Sequence, residues 1–306
     1  MFIYPHLTAS EQAGLPELVA QPIAIQNKFE DSTHHLFDCQ TVEGEMVLKV
    51  CNEGAIANSL FWSAANHLFA ADFPNSLAHI HFTHDFLKKH GALAVPDFVA
   101  AGAHRFVLTR FLAGQDIEAR HITDQWVNQL ADHIARLHQL TDTRWGKLHA
   151  PQFSAQAWAS RLHDTLSFLA NKNDTWVAHP LLAEVLAQAE NIHETEFVPV
   201  MLDLRWDQFR YSQFGQSGTN GLGNHKLGNH GLALIDLDAF VIAPRALDLV
   251  LMQYVLPPAQ LAVFKQRYVQ THRWPDHSFQ KPCYQLLLFF MNVLGETDLA
   301  KWMQRV

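Results

Sequence analysis

Met201-Leu-Asp203-Leu-Arg205-Trp-Asp207-Gln208-Phe-Arg210 is the stretch on which the reading of this chain of 306 residues turns. Apolar and charged residues alternate in it just after the short apolar run 198–201, and the same texture returns in Leu234-Ile-Asp236-Leu-Asp238 and in Ala243-Pro-Arg-Ala-Leu-Asp248-Leu. Taken singly, an acid at the end of an apolar run is a turn former or a helix cap. Together and in this order the residues supply a set of chemical types. Asp203 is a carboxylate able to take a proton from a hydroxyl, and Gln208, five residues on, offers a hard amide oxygen to a divalent cation. Asp236 is a second carboxylate for bridging that cation to phosphate oxygens. Transfer of a phosphoryl group to a hydroxyl requires these types.

The composition agrees with a packed globular protein. Hydrophobic residues make up 48% of the chain and charged residues 17%, enough for a sizeable core, and the length suggests about two domains. No apolar run approaches the ~18 residues of a membrane span, and residues 1–11 lack the basic and apolar segments of a secretory signal, so a cytoplasmic location and no membrane partner are expected. A net charge of −8 with 22 basic residues argues against a nucleic-acid polymer as partner. Cys39, Cys51 and Cys283 are too few and too scattered for a disulfide framework, and read as partly buried reduced thiols. The 20 histidines raise metal binding as a possibility, but they are dispersed and form no HExxH pattern, which favours compositional bias.

Working outward from the acidic stretch, residues 23–50 alternate as strands do, with turns at 30–33 and at Glu43-Gly44, and predict a small antiparallel sheet. Helical spacing marks 61–69 and 80–89, with Gly91 as a stop, before strands at 95–100 and 105–111. Beyond Gly114 the pattern becomes helical: Trp126, Leu130, Ile134 and Leu137 make one stripe, 155–169 and 179–189 two more, and the tail from Leu247 is helical again. The runs 198–204 and 233–238 read as strands paired with each other across a long loop. That loop holds the repeat Gly221-Leu-Gly-Asn-His and Leu227-Gly-Asn-His, whose glycines resist regular structure and read as a hairpin tip rather than a metal site.

Those motifs resemble the aminoglycoside phosphotransferase and choline kinase families, distant relatives of protein kinases, whose catalytic loop reads His-Gly-Asp-Leu-x-x-x-Asn and whose metal segment reads Ile-Asp-Trp/Phe-Asp/Glu. The resemblance runs in order over residues 25–255. It implies an α+β, bilobal, protein-kinase-like fold with a small antiparallel-sheet lobe, 1–112, that binds nucleotide, and a larger helical lobe, 113–306, for catalysis and substrate. It makes Asp203 the catalytic base, places Arg205 against the transferring phosphate, and assigns Gln208, Asp236 and Asp238 to magnesium. Asp248 becomes the acid that holds the catalytic-loop backbone. Upstream, Ser32 and His34 match a nucleotide loop, Lys49 the strand lysine for the α/β phosphates, and Thr109 to Phe111 the hinge that takes adenine on its backbone. The expected cofactors are ATP and Mg2+, and the expected partner is a small-molecule acceptor.

The chain departs from that pattern at Met201, Leu202 and Gln208, which stand where the family has His, Gly and Asn. The helix 80–89 also offers His81, His84 and Asp85 but no Glu to pair with Lys49, which leaves Asp85 or Glu53 as candidates. Two other functions therefore stay open at this stage. One is a weak or inactive kinase-like module that binds nucleotide or a protein; the other is a histidine-based metal binder.

Overall fold

The computed structural model describes residues 2–26, 29, 32–118, 122–172, 174–177, 179–212 and 231–305. Strands β1 (Ile23–Ile25), β2 (His34–Thr41), β3 (Gly44–Cys51), β4 (Phe98–Gly102) and β5 (Phe106–Arg110) form one antiparallel sheet in the order β1-β2-β3-β5-β4. The β2–β3 turn is closed by Thr41, whose Oγ1 donates to the Gly44 carbonyl at 2.8 Å and accepts from the Glu43 amide at 3.1 Å.

Side chains alternate across this sheet, and the alternation decides where Lys49 goes. Met46, Leu48 and Val50 of β3 lie on one face with Phe106 and Leu108 of β5, and pack under Tyr4, Leu7 and Leu18 in a core of their own. Val47 and Lys49 take the other face, paired in register with Thr109 and Val107. Val107 and Cys51 on that face join the main core. Lys49 thus points toward the larger lobe.

Helices Leu60–Phe69 and Ile80–His90 follow β3, near their expected bounds. Gly91 ends the second with φ −71°, so the left-handed backbone is not its reason for being glycine. A Cβ at Gly91 would lie 2.7 Å from both the His133 ring and the Leu87 carbonyl oxygen, and the close approach excludes a side chain.

After β5 come β6 (Gln115–Asp116) and the helix Asp124–Leu137, whose N-cap Thr123 accepts from Trp126 N. Its buried stripe, including Trp126, Leu130, Ile134 and Leu137, packs against the helix Pro258–Tyr268. Helices Trp158–Ala170, Pro180–Ala189, Arg245–Val255 and Lys281–Phe290 complete the core, in which Trp145, Trp158 and Tyr284 are fully enclosed. Among the described residues no helix is long and apolar enough to cross a membrane. All three cysteines are free and buried.

The remaining strands are β7 (Arg144–Lys147), β8 (Ala150–Ser154), β9 (Phe197–Met201), β10 (Phe209–Ser212), β11 (Gly231–Leu234) and β12 (Phe240–Pro244). They correct the expected pairing of 198–204 with 233–238. β9 pairs with β12, Met201 opposite Phe240, and β10 pairs with β11, Phe209 opposite Leu234. The charged residues explain the split: Asp203, Arg205 and Asp207, like Asp236 and Asp238, cannot lie within a buried ladder, so the strands stop at Met201 and Leu234 and new ones start only past the polar segments, at Phe209 and Phe240. Two nested hairpins result, with segments 202–208 and 235–239 facing each other between them. The Gly-Asn-His repeat lies outside the described residues.

Candidate active site

Segment 202–208 leaves β9 with Met201, Leu202 and Leu204 all buried in the main core. Leu202 N donates to Ala239 O at 3.0 Å, and Ile235 N donates to Gln208 O at 2.9 Å, so backbone bonds lock the two segments together at both ends. Asp203, Arg205 and Gln208 from one segment and Asp236 and Asp238 from the other are thereby brought to one place. Gln208 is buried and its Nε2 donates to Asp203 Oδ2 at 3.2 Å, which leaves its amide oxygen for another partner. Arg205 Nε lies 3.3 Å from Asp203 Oδ1 and 3.4 Å from Asp207 Oδ1, and its guanidinium sits 5.0 Å from the Phe29 ring centroid.

Lys49 reaches this cluster from the sheet 187 residues earlier in the chain: its Nζ donates to Asp236 Oδ1 at 2.7 Å and to Asp238 Oδ2 at 2.6 Å. Neither Asp85 nor Glu53, the partners considered from sequence, does this; both are exposed. His34 Nε2 stands 3.4 Å from the same Asp238 oxygen.

The electrostatics divide the acids. Burial pushes the Asp203 carboxyl up to about 7; the charges of Asp236 and Asp207 add to that, and Arg205 and Lys49 only partly oppose it. Burial acts in the same sense on Asp236, but Lys49, His34 and the bonds it accepts outweigh burial and hold it well below the usual carboxylate range. Lys49 is raised above the ordinary lysine range by its two carboxylates, against the effect of burial. Burial and Lys49 bring His34 down to about 4, so it is neutral at physiological pH.

Of the nucleotide-side residues, Thr109 is buried on the Lys49 face of β5. Ser32 donates to the His34 carbonyl at 3.1 Å and so shapes the entry to β2. Phe111 follows β5, and its amide donates to the Glu45 carbonyl at 2.9 Å, so that amide is already engaged and is not the donor expected for adenine. Asp248 bonds to a side chain rather than to the backbone of segment 202–208. It is 3% exposed and accepts from His138 Nε2 at 3.1 Å, and His138 Nδ1 lies 2.8 Å from the Tyr268 hydroxyl. The loop amide of Leu202 is used by Ala239, and Met201 and Leu204 border Asp248 with apolar side chains around a cavity of about 10 Å3. Two contacts had no sequence signal: Phe29 on Arg205, and His138 on Asp248.

No family model matches the chain, and no curated protein matches it in sequence. Solved structures do match in shape. A macrolide 2'-phosphotransferase from Brachybacterium faecium superimposes with a TM-score of 0.55 at 13% identity, covering 96% of this chain and 94% of that one. The chain has the fold of the small-molecule phosphotransferases. A protein assigned as a fructosamine-3-kinase from Thermobifida fusca gives a TM-score of 0.59 at 14% identity, covering 95% of each chain. An aminoglycoside-3'-phosphotransferase of type VIII gives 0.54 at 15%, covering 89% of this chain and 93% of that one. This phosphotransferase fold is the α+β, bilobal, kinase-like architecture expected from sequence.

The donor set suits a magnesium ion that arrives with nucleotide. Among the described residues no three His, Cys, Asp or Glu side chains gather closely enough to cage a metal alone. Magnesium is usually held by one or two carboxylates, with phosphates and water completing the shell. Asp236 in its ionised form and the amide oxygen of Gln208 are hard-oxygen donors of that kind.

Proposed function

We propose that the chain transfers the γ-phosphoryl group of ATP, with magnesium, to a hydroxyl of a small molecule. The observation that carries this reading is the meeting of Lys49 with Asp236, beside the Asp203–Gln208 pair. A strand lysine, a metal-bridging acid, a base and an amide oxygen are thus assembled from distant parts of the chain. Residues 1–112 form the nucleotide lobe in this proposal, and 113–306 the catalytic and substrate lobe.

Each side chain has a task that follows from its surroundings. Asp203, with its carboxyl raised to about 7, takes the proton of the attacking hydroxyl, and a base is most effective when its pKa lies near the working pH. Gln208 keeps Asp203 oriented through its Nε2, and Arg205, at the edge of the loop, faces the negative charge of the transferring group. Lys49 neutralises the inner phosphates. Magnesium, when bound with ATP between Asp236 and Gln208, would neutralise phosphate charge as it develops. His34, Ser32, Thr109 and the linker after β5 border the nucleotide. A net charge of −8 suits a cationic acceptor through steering.

The test is ADP release from magnesium-ATP with aminoglycosides, macrolides, amino alcohols, sugars and nucleosides as acceptors. Release that depends on one acceptor class and vanishes in Asp203→Ala is expected. ATP binding with no turnover on any acceptor would favour the non-catalytic, nucleotide-binding module.

A further inference from the structure

Two aspartates share one lysine in the cleft, and they share it unequally. Asp238 Oδ2 stands 2.6 Å from Lys49 Nζ and 3.4 Å from His34 Nε2, with a side chain only 6% exposed. Asp236 meets the ammonium through Oδ1 alone, at 2.7 Å, and its side chain is 31% exposed. That same oxygen accepts from the Asp238 amide at 3.5 Å. The second oxygen of Asp236 is thus the carboxylate atom best placed for a cation entering with nucleotide.

The helix Ile80–His90 supplies no carboxylate to Lys49. Its buried polar residues are Thr83 and His84, and His84 Nδ1 is engaged with the Pro96 carbonyl at 2.9 Å. Its one acid, Asp85, is exposed. We propose that Asp238 is the anchor of Lys49, replacing the missing helix carboxylate, and that it is not a metal ligand; this rests on the nucleotide-binding reading above.

The physical reason is charge balance. A cation that engages Asp236 withdraws that carboxylate from Lys49. If Asp238 were drawn to the metal too, the buried ammonium would keep no protein carboxylate and would depend on the phosphates alone for its charge balance and its position, a costly arrangement whenever nucleotide leaves. With Asp238 held on Lys49, the pair stays neutral and the lysine stays in reach of the phosphates. Asp238 is therefore a positioning residue acting through Lys49. The assignment replaces the magnesium role expected for Asp238 from sequence.

ATP affinity, measured by calorimetry in saturating magnesium and in EDTA for wild type, Asp236→Asn and Asp238→Asn, separates the two roles. Asp236→Asn should bring the ratio of the two affinities to about one. Asp238→Asn should keep the wild-type ratio while weakening binding in both media by about tenfold, the equivalent of 1.4 kcal/mol. A collapsed ratio in Asp238→Asn would overturn the proposal. A second arm uses no nucleotide: a thermal-stability cycle of Lys49→Met, Asp238→Asn and the double variant. The double variant should be more stable than the sum of the single losses predicts, and should fold even if Asp238→Asn does not. Strict additivity, or a double variant that also fails to fold, would count against the anchor. Failure of the wild type to bind ATP while the cycle shows coupling would sink the proposed function and leave the anchor standing.

Discussion

Segments 202–208 and 235–239 face each other across the site, yet they are finished in opposite ways. In 235–239 each acid has a cation within 2.7 Å, and the pair is a fixed block of negative charge. In 202–208 Asp203 has only an amide at 3.2 Å and an arginine at 3.3 Å that is divided with Asp207, and its carboxyl is raised to about 7. Like side chains are thus given opposite electrostatics by the placement of a single lysine. In the proposed function one segment holds charge still and the other handles a proton.

The largest effect should come from the proton-handling segment. Asp203→Asn keeps the volume and the hydrogen bond from Gln208 but removes the base, and single-turnover phosphoryl transfer should slow by roughly 10²–10⁴-fold with ATP affinity little changed. An equal loss of affinity would make Asp203 part of the charge block and erase the distinction.

Gln208 lies where the two segments touch, and its replacement should come next. Gln208→Leu removes the amide oxygen at similar volume and should lower the rate by roughly 10²-fold, whereas Gln208→Asn should preserve or raise it, because both amides offer the same hard oxygen. Equal rates for the wild type and both variants would remove Gln208 from the metal.

A smaller effect lies beneath the site. His133 is 3% exposed, its Nδ1 accepts from the Ala92 amide at 3.1 Å, and burial lowers it from 6.5 to about 4. A depressed folded value means that the unfolded chain binds the proton first. Stability is therefore complete above pH 6.5 and falls as the pH drops toward 4, by about 3 kcal/mol from this group. Urea unfolding at pH 7 and pH 4.5 should show that loss in the wild type and less of it in His133→Gln. An identical pH dependence in both would show that His133 is not the group responsible.

The smallest effect is expected from shortening the Gly221–His230 repeat. Closing a flexible loop costs only about 0.6 kcal/mol per doubling of its length, so folding and ATP binding should survive the deletion. Loss of the fold would make the repeat a structural element.

Much of the fold could be read directly, because the spacing of Trp126, Leu130, Ile134 and Leu137, and the alternation from Met46 to Val50, report burial within one element. Pairing between distant elements could not. The runs 198–204 and 233–238 were visible as apolar, but short strands carry no label for their partners, and only the buried cost of Asp203 and Asp236 divides them. The chemical types at Asp203, Gln208 and Asp236 were legible from order and spacing. The partner of Lys49 was not, since a contact across 187 residues leaves no local trace. Gly91 was read correctly as a helix end, but part of the reason for it, the ring of His133, lies in another helix, beside the Leu87 carbonyl of its own.

The central claim, that the Asp236 block receives magnesium-ATP, is tested most directly by titrating wild type and Asp236→Ala with ATP at fixed magnesium while following thermal stability. A ligand that binds only the folded state raises stability by mass action, about 2.7 kcal/mol at 100 times its dissociation constant. The account predicts a magnesium-dependent rise for the wild type and none for an otherwise folded Asp236→Ala. An equal rise in both would contradict it.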